Sequence, residues 1–274
     1  MHHEASAFDG VVLERASRTP GEPLRRHVRS IEGYDERSTG PRSRREFPEP
    51  WIVVIIEFGP ALRVTLGDER SVARHPGGFV AGLGDQFAIT EHQGRQRGVQ
   101  VDLTPTGARR LFGIPMSELT GRIVALRDLL PAGDRPLTER LSTARDWKTR
   151  LELVEDFLAR RMLGARLDSA RVDWAVARIE SCGGVLDVGS LARELGYSHK
   201  HLISLFRDQV GIPPKLLARL VRFERVRRAA RADARIGWSE LALGHGYCDQ
   251  AHLAREVKQL TGLTPTEALP PRAR

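Results

Sequence analysis

The side chains of this 274-residue chain that could do chemistry fall into two unequal sets. The richer set is His199, Lys200, Ser204 and Arg207, followed about fifty residues later by Gln250, Arg255 and Lys258. Arg and Gln present paired hydrogen-bonding groups in one plane and can grip a planar partner edge at two points, whereas Lys offers a mobile point charge. This is the chemistry of recognition. The poorer set is His75 and His92, with Glu91 beside the latter. A metal-binding barrel wants a tighter His-x-His and a downstream carboxylate, so neither a metal site nor a cofactor is expected. Gly82-x-Gly84 lacks the helix that must follow a nucleotide-binding loop and reads as a turn. Cys182 and Cys248 are too few for a disulfide framework and are read as reduced thiols, Cys248 as a small buried residue.

The elements that must position the richer set repeat. Leu191-Ala192, Gly196-Tyr197, Leu202 and Gly211-x-x-Pro214 return as Leu241-Ala242, Gly246-Tyr247, Leu253 and Gly262-x-x-Pro265, with one extra residue in the second turn. Each copy is a short helix, a glycine turn and a second helix, so the chain carries a doubled helix-turn-helix. In the first copy Ser190 is expected to cap 191–195 and Ser198 to cap 199–209. Leu202, Leu205 and Phe206 then point inward and His199, Lys200, Ile203, Ser204 and Arg207 outward. In the second, Trp238-Ser239 caps 240–244 and Asp249 caps 250–260. Leu253 and Val257 point inward, and Gln250, Ala251, Ala254, Arg255 and Lys258 outward. Between them a helix runs to about residue 232 on the apolar stripe Leu216, Leu217, Leu220, Phe223 and Val226. Its span of about 28 Å approaches the ~34 Å of one duplex turn, which suits a strut between two units on one double-stranded DNA.

On that reading the base-contact candidates are His199, Lys200, Ile203, Ser204, Gln250, Ala251, Ala254 and Arg255, and the phosphate-contact candidates are Arg193, Arg207, Arg222 and Lys258. His201 and His252 hold matched places in the two copies and are assigned to packing or backbone bonding rather than base contact. Charge agrees: residues 170–274 hold 17 Lys and Arg against 11 Asp and Glu, whereas the remainder holds 26 against 24, out of a net +8. A basic half joined to a nearly neutral one fits binding to paired phosphates.

The segments Ser190-Leu191-Ala192, Gly196-Tyr197-Ser198, His201-Leu202, Leu205-Phe206-Arg207 and Gly211-Ile212-Pro213-Pro214, with Gly246-Tyr247, Asp249, His252-Leu253, Arg255, Lys258 and Gly262-Leu263-Thr264-Pro265, resemble the AraC/XylS family of transcription regulators over about residues 168–270. The resemblance implies an N-terminal cupin-like β-barrel that binds an effector or mediates dimerisation. It implies RNA polymerase as a partner of an activator. The chain departs from many relatives at Ser204, where they carry Arg, and at Val257, where they carry an aromatic residue. A short hydroxyl cannot reach and grip guanine as Arg can, so the departure at Ser204 weakens base reading by the first unit.

The N-terminal half reads as short strands at 11–14, 28–34, 52–58, 62–66, 78–83 and 99–103, an antiparallel barrel or sandwich. The run 51–56 is continuously apolar, as in a strand buried on both faces. Ile52, Val54, Ile56, Val64, Phe79 and Phe87 are the candidates for an effector pocket. Helices follow at 106–112, 134–145 and 147–163. Trp147, Leu151, Val154, Phe157, Leu158 and Met162 share one face of the last, suiting either core packing or a dimer seam. With a junction at 164–168 the fold class is α+β: residues 1–166 form a cupin-like barrel with flanking helices, and residues 167–274 an all-α double helix-turn-helix. No apolar run reaches the length of a membrane span and the N-terminus lacks a signal peptide's pattern, so the expectation is a cytoplasmic, DNA-binding regulator and not an enzyme. The alternatives are a metal-dependent cupin-type enzyme fused to a DNA-binding domain, and a ligand-independent regulator whose N-terminal domain only forms a homodimer.

Overall fold

The computed structural model describes residues 1–8, 10–68, 73–130, 136–164, 170–233 and 235–269. The N-terminal part is built of β1 (His2–Phe8), β2 (Val11–Arg18), β3 (Val28–Ser38), β4 (Arg42–Glu46), β5 (Ile52–Glu57), β6 (Arg63–Leu66), β7 (Ala73–Arg74), β8 (Gly78–Ala81), β9 (Ala88–His92), β10 (Arg95–Leu103) and β11 (Ile123–Ala125). They form two antiparallel sheets, in the orders β1-β2-β3-β10-β5-β8-β11 and β4-β9-β6-β7. β1, β4, β7, β9 and β11 go beyond the expected strands. β1 and β4 are largely solvent-exposed and lack the apolar alternation that marks a strand in sequence.

The large sheet has two unlike faces. Ile52, Val54 and Ile56 of β5, with Val99, Val101 and Leu103 of β10, sit in the main core with α1 (Pro105–Phe112) and α4 (Trp147–Met162). Gly33 lets the indole of Trp147 lie on the strand: a Cβ there would come within 2.4 Å of the ring. Alternation along a strand sends Val53, Ile55 and Glu57 the other way, toward the small sheet. There Ile55, Leu62, Val64 and Phe79 form a second, smaller core. β5 is therefore buried on both faces, as its apolar run predicts.

Trp147, Leu151, Val154, Phe157, Leu158 and Met162 are all buried within the chain, which assigns this face of α4 to core packing. α1 forms as expected, with Thr104 accepting from Gly107 N–H at 3.1 Å and Gly113 closing the helix at φ 71°. Two further helices, α2 (Leu126–Leu129) and α3 (Pro136–Thr143), complete this part. The expected start of α3 at residue 134 and most of the proposed junction, with the 166/167 boundary, lie outside the described residues.

The C-terminal part comprises α5 (Ala170–Ser181), α6 (Val188–Glu194), α7 (His199–Gln209), α8 (Pro214–Ala232), α9 (Trp238–Gly244), α10 (Gln250–Thr261) and α11 (Pro265–Ala268). Two expected caps are corrected. α6 begins earlier than read, because Asp187 and not Ser190 accepts the free amide, that of Ser190 itself, at 2.7 Å. α9 begins at Trp238 after Gly237, with no side-chain cap.

Candidate nucleic-acid interface and ligand cavity

The two helix-turn-helix units share their local devices. Gly196 and Gly246 take φ of +70° and +78° in the turns, a region open to glycine. Ser198 accepts from His201 N–H at 3.2 Å and Asp249 from His252 N–H at 2.6 Å. The rings of Tyr197 and His201 meet edge to face at 4.6 Å, and those of Tyr247 and His252 at 5.2 Å, so both histidines pack against the turn tyrosine.

These devices leave His199, Lys200, Ser204 and Arg207 of α7 exposed, with Ile203 half-buried among them. On α10, Gln250, Ala251, Arg255 and Lys258 are exposed and Ala254 is half-buried. Gln250 Oε1 accepts from Ser239 Oγ at 3.3 Å, which ties the start of α10 to α9. Val257 is fully buried, consistent with a packing change at that departure. Arg193 is exposed and bonds Ser190 Oγ at 2.9 Å. Cys248 is exposed rather than buried, because the extra residue of the second turn places it on the surface.

Arg222 does not join the exposed set. Its Nη2 lies 3.3 Å from Glu256 Oε2 and its guanidinium lies over the Tyr247 ring at 5.3 Å. Arg219 Nε donates to the same carboxylate oxygen at 3.1 Å, and Tyr247 Oη donates to Glu256 Oε1 at 2.7 Å. Glu256 is thus a buried hub that fastens α10 to α8. Burial, then the Glu256 charge, hold the Tyr247 hydroxyl above its ordinary pKa.

Between the two sheets lies a cavity of about 310 Å³. Of the six expected pocket residues only Val64 and Phe79 line it. Ile52, Val54 and Ile56 have the opposite parity and face the helices, and Phe87 lies beneath the Arg45 guanidinium, 3.9 Å away, beside Gly262. Val53, Ile55, Leu62, Leu66 and Ala81 supply the apolar lining instead. The sequence signal was Glu57, which shares its face with Val53 and Ile55.

The cavity is also polar, which the sequence reading missed. Glu32, Tyr34 and Glu36 of β3, Gln96 and Gln100 of β10, and Glu46 and Glu49 line it. Glu36 is fully buried; burial raises its pKa, but Gln96, Arg44 and His92 together hold the carboxyl below its usual range. Burial, then the Asp102 charge, raises Glu32. Glu57, behind the lining, is pushed up to about 7 by burial, with only the Leu62 N–H opposing. Among the described residues no cluster of three His, Cys, Asp or Glu side chains could hold a metal ion. His92 Nε2 instead faces Glu36 at 3.2 Å.

Among the described residues, polar contacts join the β-domain to the helical one. Arg227 of α8 donates to Glu49 at 2.7 Å, Arg45 of β4 to the Thr261 carbonyl at 2.9 Å, and Thr120 to the Gly211 carbonyl at 2.5 Å. Arg109 pairs with Asp208 at 3.0 Å and Arg29 with Glu180 at 2.8 Å. Phe47 meets Phe223 of α8 at 6.2 Å. Burial raises Glu49 to about 7, against the pull of Arg227. Glu49 therefore touches both the cavity and the strut.

A family profile described as Helix-turn-helix domain matches residues 191–269 and spans both units. A second, described as Domain of unknown function (DUF6597), matches residues 16–125, most of the β-domain. Curated protein sequences gave no match. Among solved structures the chain is similar to ToxT from Vibrio cholerae, at 8% identity over 84% of this chain and 98% of that one, with a TM-score of 0.47. It is also similar to the AraC-like transcriptional activator CuxR, at 16% identity over 80% and 81% of the two chains, with a TM-score of 0.33. KdgF from Halomonas sp. matches 37% of this chain with 86% of its own, at 12% identity and a TM-score of 0.27.

Proposed function

We propose that the chain is a DNA-binding transcription regulator of the AraC family, whose two helix-turn-helix units read one duplex under the control of a small molecule held in the barrel. The observation that carries this reading is the pair of equivalent exposed faces, built by matching caps, turns and Tyr–His contacts, in units that precede and follow one 19-residue strut. Arg255 and Gln250 have the reach and the paired groups to read guanine and adenine edges. Lys200 and His199 take that role in the first unit, with Ile203, Ser204, Ala251 and Ala254 lying against the groove between them. Arg193, Arg207 and Lys258 neutralise phosphates, fixing register without specifying sequence. Arg222 is left out of this set because it serves Glu256.

The effector acts through the wall that Glu49 shares with the strut. A molecule that fills the cavity and engages Glu49 changes the partner available to Arg227, and so favours one arrangement of the two domains over another. The free outer edge of β1 supports pairing of two copies, and an activating complex would meet RNA polymerase beside its site. Its place is the cytoplasm, with no catalytic step of its own. Selection of bound sites from random duplex DNA tests the reading, comparing the intact chain with Arg255→Ala and Ser204→Arg. The expected result is an asymmetric motif of two half-sites that loses base preference in Arg255→Ala and gains it in Ser204→Arg. Enrichment of no motif, with weak binding that vanishes in modest salt, would overturn specific reading.

A further inference from the structure

We infer that the barrel cavity takes a ligand with an apolar body and a positively charged, hydrogen-bond-donating head, and that the head docks on Glu49. The inference deepens, and rests on, the reading of the cavity as the effector site. Glu49 has one oxygen engaged by Arg227 at 2.7 Å, while Oε2, its other oxygen, is buried without a partner in a side chain that lines the cavity. An acceptor left bare inside a protein costs free energy, which a donor on the ligand would recover. Phe47 and Trp51, on either side of Glu49 in the chain, line the same cavity. Both rings already attract guanidinium groups, with Arg227 5.6 Å from the Phe47 centroid and Arg29 4.8 Å from that of Trp51. A carboxylate and two aromatic residues lining one cavity form a surface suited to an ammonium group.

The remaining charges point the same way. Glu32, Glu36, Glu46 and Glu49 are the carboxylates of the lining, against Arg15, Arg44 and Arg122. Arg44 is held by Glu36, Arg122 donates to the Glu118 carbonyl, and Arg15 offsets Glu32. All three arginines are solvent-exposed, whereas Glu36 is fully buried and Glu49 half-buried, so the enclosed part of the lining carries carboxylate. Tyr34 has a buried hydroxyl without a partner, but the charges of Glu57, Glu46 and Glu36 act on it against that of Arg44 alone, so an anion placed there would meet an excess of like charge. For the body of the ligand, Ile55, Leu62, Val64 and Phe79 give an apolar wall, and the volume lies at the lower end of the roughly 300–1,000 Å³ of small-molecule sites.

Titration calorimetry on the intact chain with tryptamine, tryptophol and indole-3-propanoate keeps one body and changes only the head. Tryptamine should bind about tenfold or more tightly than tryptophol, the worth of one charge-assisted hydrogen bond, and indole-3-propanoate most weakly. Glu49→Gln keeps an acceptor for Arg227; it should cost tryptamine about tenfold and leave tryptophol unchanged. Ala81→Phe, which fills the cavity from β8, should weaken all three and so locates the site. Tighter binding of the acid, or a tryptamine affinity indifferent to Glu49→Gln, overturns the head chemistry while a loss in Ala81→Phe still upholds the cavity as a ligand site. If none of the three binds, or binding survives in Ala81→Phe, both the inference and the effector reading fall.

Discussion

The two helix-turn-helix units are copies in their turns and differ in what fastens the second helix of each to the strut. With the one-residue slip, Leu205 of α7 occupies the place of Glu256 in α10. Glu256 is buried and gathers Tyr247, Arg219 and Arg222 at 2.7–3.3 Å. In the first unit Leu205 is half-buried, and the turn tyrosine, Tyr197, instead takes an exposed hydrogen bond from Arg171 at 2.9 Å. Charge-assisted bonds fix direction as well as distance, whereas apolar contacts tolerate sliding. The second unit is therefore the rigidly aimed one, and it carries Arg255 and Gln250. The first is held by packing, and it carries the short Ser204 on its exposed face.

Removing Glu256 should produce the largest effect. Glu256→Ala leaves two guanidinium groups and a hydroxyl without their carboxylate, a loss of about 3–5 kcal/mol, whereas Leu205→Ala, half-exposed, should cost roughly 1–2 kcal/mol. Denaturant melts that gave equal losses would break the contrast. DNA binding comes next: Arg255→Ala should lose about 1–3 kcal/mol on its preferred site and relax specificity at that position, while Arg207→Ala should weaken all sequences alike and lower the salt slope by about 1. Binding titrations against matched and scrambled duplexes at several salt concentrations separate the two. Tyr247→Phe should destabilise by about 1–2 kcal/mol and Tyr197→Phe by less than about 0.5, because only the first leaves a buried partner short of a donor. The smallest effect is shared: Asp249→Ala and Ser198→Ala should each cost about 1 kcal/mol, since both caps bond the same amide position. Unequal cap losses would show that the units differ in their turns as well.

The helical domain was legible because its signals are local. Repeats, caps and turn glycines are written within a few residues of where they act. Arg222 was misassigned because its partner lies 34 residues away on another helix, and a cation in sequence does not show which carboxylate will cover it. Ser190 and Asp187 are both good caps, and only the structure decides which amide is left free. In the barrel the difficulty was parity. A strand buried on both faces is apolar at every position, so hydrophobicity alone assigned Ile52, Val54 and Ile56 to the cavity instead of Val53 and Ile55. The cavity's polar side was hidden because Glu32, Tyr34 and Gln100 look, in sequence, like the solvent face of strands that are in fact covered by the small sheet. The edge strands β1 and β4 carried too little apolar pattern to announce themselves.

Glu49 accepts a hydrogen bond from Arg227 of the strut, and the same side chain lines the cavity. A carboxylate shared in this way is a two-way link, because binding free energies around a closed cycle must balance. Whatever factor the effector imposes on affinity for DNA, DNA must impose on affinity for the effector. Molecules already seated on an operator would then sense a different concentration range from those free in solution. The threshold for response is, in that case, a property of the occupied site as well as of the protein.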